Sequence, residues 1–533
     1  MKIQALFNTR VLSMAALLGM ALALGSCSSE ENMQGEGGKT TEPETDKNLT
    51  TFVSDAPGSD GTRTTMSNTG VFKWQAGDKI WVKDDTGTWR QSSNAPTTET
   101  DNFKFKVPGT FTGSSTYTVY YPGKNGSQDQ VSISASQSQA DPNTPAHVGE
   151  SGDCGWATAT AATGTKRFNF TLDHKAAFLV FSPYCSNNTV LNSSDVKLTK
   201  IEVTSDNDLV GTYTLDPATN QLTGSGSGKQ INLTTTGGSA TPNGFSVPTA
   251  ATPATNASYV VIKPGTHTLK VRFWLKDYVT NVEGTVTKLY PSFTYAANTY
   301  YSMSSELKIT NYTTPYYMWD AQQPYWKDHE WDLVGHDDGT NQPTVNAGTG
   351  SAYPQPGDAD RYYNTTITGA GEGTHGLFNP SAAQHVPNAN EMSWYCMKGD
   401  PRWDGDELWT TMGHLYKGGM WFKKKAKISG FSSSVSADNS TDLRITWTYF
   451  SNTPLNISSN PISAADQSNY FYLPALGIYG SGTLYSVGNI GYFWSSSAYP
   501  THSGHAYYLY FASGYVRVYD FYRYCGFSVV PFE

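Results

Sequence analysis

Short segments in which apolar and polar residues alternate, each closed by Gly, Pro, Asn or Asp, recur through the first 310 residues of this 533-residue chain. Residues 71–74, 79–83, 103–107 and 117–121 are the earliest. A period of two sends successive side chains to opposite faces, so each segment can bury only one face and needs a sheet to complete it. No helical pattern interrupts this run. Residues 168–310 continue it with about seven further candidate strands, starting near Phe168, Ala177, Leu198, Leu209, Ser258, Thr268 and Thr287. Short strands without intervening helices predict a sandwich. Composition agrees: charged residues are 15% of the chain, with 50 Gly, 34 Tyr and 14 Trp, a balance that favours strands and turns over helices. A net charge of −9 excludes a nucleic-acid partner, because phosphate contact needs a basic surface.

The N-terminus fixes the compartment. Lys2 and Arg10 precede an apolar run over residues 11–24, too short for a dedicated span, which reads as a secretory signal. It ends in LGSC at residues 24–27, which resembles a bacterial lipobox and implies that Cys27 becomes the acylated first residue. A buried Cys behind an ordinary signal peptide is the alternative. Glu30 and Glu31 resemble the surface-export signal of Bacteroidetes lipoproteins, implying an outer-membrane lipid anchor. Residues 28–50, polar and almost without apolar residues, form a flexible tether. Export also permits disulfides, with Cys154–Cys185 and Cys396–Cys525 as candidate pairs; free buried thiols are the alternative.

Beyond Tyr312 the composition changes, with 23 of the 34 tyrosines and 9 of the 14 tryptophans in residues 312–533, so a different domain is expected there. One amphipathic helix is predicted: Asn388 caps it, Glu391 follows three residues on, and Met392, Tyr395 and Cys396 share a face.

Two stretches carry resemblances. Arg63-Thr-Thr followed by Phe72-Lys-Trp74 and Gly77-Asp-Lys-Ile80, together with FTLDHKAAF at residues 170–178, resembles the Bacteroidales fimbrillins. The C-terminal third is similar to the Fibrobacter major paralogous domain, a C-type-lectin-like fold. Its carriers include Pro387-Asn-Ala-Asn-Glu391, residues 409–421 (WTTMGHLYKGGMW), Phe493-Trp-Ser-Ser-Ser497 and Gly526-Phe-Ser-Val-Val530. The resemblance implies a mainly β protein: two β-sandwich pilin domains, 51–167 and 168–311, followed by an α+β C-type-lectin-like domain, 312–533. It implies fimbrial partners joined by strand exchange, in which main-chain hydrogen bonds supply affinity. It makes Arg63 a candidate proteolytic maturation site, with an ordinary exposed Arg as the alternative. Residues 527–533 read as the closing strand of the last domain, which favours a tip or accessory adhesin over a stalk subunit.

Catalytic motifs are absent: there is no HExxH, no GxSxG and no metal-spaced Cys/His set, so no catalytic residue, metal or cofactor is assigned. Asp400, Asp404, Asp406 and Glu407 could hold calcium, but a solvated turn is the stronger reading. The lectin-like fold is shared with formylglycine-generating enzymes, yet their neighbouring cysteine pair is not matched here. Aromatic density is more informative, because sugars stack their C–H faces on Trp and Tyr. Tyr499, His502, Tyr507, Tyr515 and Tyr519, with His505 and Tyr522 nearby, are the candidate contacts for a glycan or protein ligand; core or cross-strand packing is the alternative for each. A monomeric glycan-binding surface lipoprotein is the other functional expectation.

Overall fold

The computed structural model describes residues 2–5, 48–54, 73–162, 167–313, 315–333, 339–367, 373–453, 457–458, 460, 462–463 and 465–532. The architecture is mainly β, built in three sheet-based units along the chain. Cys27 and Arg63 lie outside the described residues.

The N-terminal unit is one mixed sheet. Its strands run in the order Trp89–Gln91, Trp81–Lys83, Thr116–Tyr121, Gly155–Ala161, Arg167–Phe170, Leu49–Ser54 and Lys104–Pro108. Leu49–Ser54 is thus an interior strand, parallel to Arg167–Phe170 on one side and antiparallel to Lys104–Pro108 on the other. Phe52 supplies the reason it fits. Its fully buried ring stacks on Phe168 at 5.1 Å and meets Phe111 edge-on at 5.2 Å. Ser54 Oγ then accepts hydrogen bonds from the Trp74 indole N–H (2.8 Å) and the Phe103 amide (2.8 Å).

The middle unit packs two sheets face to face. Ala177–Tyr184 lies between Ser258–Ile262 and Thr299–Glu306 in one sheet; Val196–Ser205, Gly265–Asp277 and Glu283–Tyr295 dominate the other. Phe181 and Phe273 meet across the gap at 5.9 Å, as interdigitating inner faces of a sandwich should. On its outer edge Thr299–Glu306 carries the strand Lys2–Ala5, paired antiparallel.

The boundary between these units differs from the expected break at 167/168. Phe168, Phe170 and Leu172 belong to the N-terminal core, and the chain crosses over only after His174. In the other direction, Gln130–Ile133 pairs with Gly211–Asp216 and Ser136–Ser138 with Gln230–Thr234, placing residues of the expected first domain in the second. Alternation marks a strand but not its partner, which is why the exchange was invisible in sequence. At the crossing, fully buried Asp153 lies 2.7 Å from His174 Nδ1.

The C-terminal unit has a four-stranded sheet (Thr310–Asn311, Arg402–Thr411, His414–Lys423, Tyr470–Pro474). Its six-stranded sheet runs in the order Tyr316–Tyr317, Phe527–Ser528, Gly491–Ala498, His505–Ala512, Tyr515–Tyr522 and Phe450–Asn452. Between them packs the one long helix among the described residues, Ala389–Lys398, which starts with the expected capping box of Asn388 and Glu391. The strands of the larger sheet that come first and last in the chain, Tyr316–Tyr317 and Phe527–Ser528, pair with each other, and Phe532 is buried against Tyr395 and Phe471.

This unit is fastened to the middle one through Asp277, which is fully buried. Its Oδ1 accepts the amides of Val279 (2.8 Å) and Thr280 (3.0 Å), and Oδ2 accepts that of Leu415 (2.9 Å) and lies 3.2 Å from His414 Nδ1. Burial opposes the charged form, but the hydrogen bonds from His414, Leu415, Thr280 and Val279 outweigh it and hold the Asp277 pKa below the usual carboxylate value. Leu408 and Leu415 complete the joint by entering the middle core.

The four cysteines among the described residues, Cys154, Cys185, Cys396 and Cys525, are buried free thiols, in place of the two candidate bridges. Cys185 and Cys396 donate to the carbonyls of Ile309 and Val516, and burial pushes Cys396 and Cys525 up to about 12.

Candidate functional site

Most of the exposed aromatic side chains of the C-terminal unit gather at one end of its larger sheet, and pairing explains how. Tyr515–Tyr522 forms a hairpin with His505–Ala512, which sets Tyr522 opposite His505. Its other edge takes the short strand Phe450–Asn452, with Phe450 opposite Val518, so Tyr449 falls opposite Tyr519. Those two rings stack at 4.0 Å, inclined by 19°.

From this pair a continuous row of rings extends. Trp447 lies 5.6 Å from Tyr449 and 6.5 Å from Tyr499, whose hydroxyl is 3.4 Å from that of Tyr449. Tyr499 is 6.5 Å from His505, His505 is 4.6 Å from Tyr522, and Tyr522 stacks on Tyr524 at 5.2 Å. His505 Nδ1 is bonded to the Asp520 carboxylate in the middle of the row.

Arg523 braces the far end. Its guanidinium is fully buried between Trp319 (4.8 Å) and Tyr363 (4.9 Å) and donates to the Ser503 carbonyl at 2.7 Å. Burial lowers its pKa to about 10, which leaves it charged at neutral pH. With Arg523 pointing inward, its neighbours Tyr522 and Tyr524 point outward, 47% and 40% exposed.

The expected contacts divide. Tyr519 is exposed on the row and His502 is exposed beside it, 4.3 Å from His505, whereas Tyr499 links the rings from a buried position, 8% exposed. Tyr507 is corrected: it is fully buried in the core behind Tyr499, because neighbouring positions of this strand pack on both faces of the sheet. Tyr515 lies at the opposite end of the hairpin, where it pairs with Ala512, bonds the Tyr510 hydroxyl at 2.6 Å and lies under Arg517. Trp447, Tyr449 and Tyr524 were missed. Trp447 and Tyr449 reach the row only through the pairing of residues 450 and 518, which no local signal announces.

The acidic cluster is spent on its own turn. Asp404 Oδ1 accepts the amides of Asp406 (3.0 Å) and Glu407 (2.9 Å), while Asp400 pairs with Arg402 at 3.1 Å and accepts from Tyr470 at 2.5 Å. Among the described residues no group of three His, Cys, Asp or Glu side chains is placed to hold a metal ion, and no helix is long and apolar enough to cross a membrane. A cleft of about 460 Å³ at the joint with the middle unit, lined by Thr280, Val345, Tyr416 and Val487 among others, shares no residue with the aromatic row.

No family model matches the chain, and no curated protein does. Solved structures with some likeness include a "putative cell adhesion protein" from Bacteroides ovatus ATCC 8483 (15% identity, TM-score 0.28), covering 48% of this chain and 91% of that one. A fimbrial assembly protein from Parabacteroides distasonis ATCC 8503 has 11% identity and a TM-score of 0.24, with 48% of this chain and 90% of that one covered. A fimbrial protein from Bacteroides vulgatus ATCC 8482 has 11% identity and a TM-score of 0.22, covering 44% and 89%. Likeness of this degree carries no argument, and the functional reading rests on the chain itself.

Proposed function

We propose that the chain is the precursor of a surface-exported, lipidated fimbrial subunit, a tip or accessory adhesin. In this reading the N-terminal and middle β units serve assembly by strand exchange and the C-terminal, C-type-lectin-like unit is a ligand-binding head. The observation that carries it is the place of Leu49–Ser54. This strand lies inside the N-terminal sheet with ladders on both sides, yet in sequence it precedes Arg63, while the rest of that sheet follows it. Cleavage after Arg63 would sever it from the unit it completes. Its loss would expose two strand edges and the hole left by Phe52, a groove shaped for another subunit's strand. The strand Lys2–Ala5 on the edge of Thr299–Glu306 also lies in the segment read as a cleaved signal.

Phe527–Ser528 is engaged within its own sheet, between Tyr316–Tyr317 and Gly491–Ala498, so this strand is part of the head. A catalytic role finds little support: Cys396 and Cys525 are separately buried and their raised pKa values keep both protonated, whereas a reactive thiol needs thiolate character and access. N-terminal sequencing of subunits from a purified surface-fibre fraction tests the reading. Maturation predicts a start at Thr64; a start at Cys27 in assembled fibres contradicts it, and absence of the chain from the fibres leaves a monomeric surface lipoprotein.

A further inference from the structure

We infer that the aromatic row from Tyr519 to Tyr524 is the adhesive surface of the head, and that its ligand is an extended neutral glycan bound along several sugar residues rather than at one terminus. The inference rests on the reading of the C-terminal unit as a ligand-binding head and is independent of strand exchange.

Exposure singles the surface out. Of the thirteen large apolar side chains exposed among the described residues, six (Ile445, Trp447, Tyr449, Tyr519, Tyr522 and Tyr524) lie on this row or the turn beside it. Scattered exposed apolar residues need no explanation, whereas a contiguous set marks a binding surface.

Shape selects an extended ligand. Successive ring centroids stand 4.0 to 6.5 Å apart, so the rings form one contiguous surface several rings across, and the cleft lined by Val345 and Tyr416 shares no member with it. That cleft thus does not serve this surface as a pocket for a single sugar. Affinity must then be summed over several stacked rings, which only a chain of sugars can engage together.

Chemistry selects a neutral glycan. The surface is built of tyrosine, tryptophan and histidine rings with hydroxyl and N–H groups at their rims, the mixture that meets a pyranose's C–H face and hydroxyl edge. A protein-binding core adds Met and Arg to its aromatic residues, and no Met lies among the exposed side chains of this row. An acidic sugar would need a free cation. Arg444 is already paired with Asp442 at 2.8 Å, Arg523 is buried, Arg517 stacks on Tyr515 towards the other end of the hairpin, and Asp520 places a carboxylate in the row. His505 and Asp520, held together between the two groups of rings, offer the polar contacts that fix a sugar's orientation. The Tyr449–Tyr519 stack and buried Arg523 hold rings in place beforehand, which lowers the ordering cost of binding.

Affinity electrophoresis of the full chain through gels containing yeast α-mannan, barley β-glucan or galactomannan tests the inference, with heparin, polygalacturonate and gelatin as alternatives. At least one neutral polysaccharide is expected to retard the protein without competition from its free monosaccharide. Trp447→Ala and Tyr522→Ala should each weaken retardation about tenfold, as expected for one lost aromatic stacking contact. Tyr485→Ala, an exposed ring outside the row, should bind normally, and all three variants should keep the wild-type melting temperature. Normal retardation of both row variants overturns the assignment of the surface while leaving the head as a binding unit. Competition by monosaccharide overturns the extended ligand. Retardation by heparin, polygalacturonate or gelatin alone overturns the ligand class, and retardation by none of the six overturns the binding-head reading as well.

Discussion

The N-terminal unit and the C-terminal unit are both aromatic-cored β structures, but they are closed in opposite ways. In the first, an interior strand comes from ahead of Arg63, so one backbone cut would detach Leu49–Ser54 from the sheet it completes. In the second, Phe527–Ser528 pairs with Tyr316–Tyr317, so the larger sheet is closed by strands from the two ends of its own stretch of chain. The aromatic residues follow the same division. Phe52, Trp74 and Phe105 are spent on the inside of the N-terminal sheet, whereas the C-terminal unit fills a core and still sets Trp447, Tyr449 and Tyr519 outside. A unit completed by a separable strand can exchange backbone with a partner; a self-closed unit offers side chains instead.

Phe52→Ala should break this contrast most severely. It removes a buried ring packed between Phe111 and Phe168 and should cost about 3–5 kcal/mol in denaturant unfolding of the uncleaved chain, with the loss confined to the N-terminal unit. A comparable loss in the C-terminal unit would mean that the two are not separately closed.

Asp277→Ala comes next, because it leaves buried amides and His414 without their acceptor and should cost about 3 kcal/mol. The same carboxylate gives the joint a pH dependence. Its pKa is lowered in the folded state, so its stabilisation is present above the unfolded value of 3.8 and is lost as pH falls below that through the folded pKa. Melting followed from pH 6 down to pH 3 should show the acid-induced drop in wild type and a smaller one in the variant.

Asn388→Ala removes the helix cap and should cost about 1 kcal/mol, felt only in the C-terminal unit. Smallest of all, Trp447→Ala should change stability by less than about 0.5 kcal/mol, since its ring is half exposed. A large stability loss there would mean that the row is packing rather than surface.

Much of this was legible in the sequence, for reasons visible in particular elements. The capping box at Asn388 and Glu391 is a local, two-residue device and reads directly. Strands such as Thr116–Tyr121 alternate large apolar with polar side chains and were found almost to the residue. Gly155–Ala161 was not, because GWATATA alternates small residues whose contrast in hydrophobicity is slight. The candidate strand expected near Thr287 covers parts of two, Glu283–Tyr295 and Thr299–Glu306, joined by a turn at Asn298 with positive φ. In the candidate site, aromatic density pointed to the correct stretch but could not sort Tyr507 from Tyr519, since the sheet packs residues on both faces. Trp447 and Tyr449 depend on a pairing between residues 450 and 518, far apart in sequence.

The central claim is that Leu49–Ser54 is a replaceable strand. Light scattering of the purified chain before and after arginine-specific proteolysis tests it most directly, with Arg63→Ala as the uncleavable control and a synthetic peptide of residues 48–54 as competitor. Cleaved protein mixed with a partner subunit that carries a free terminal strand should form a stable complex, which the peptide suppresses and Arg63→Ala prevents. Cleaved protein that keeps Leu49–Ser54 bound and stays monomeric with that partner, or a complex that forms equally well without cleavage, would contradict the account.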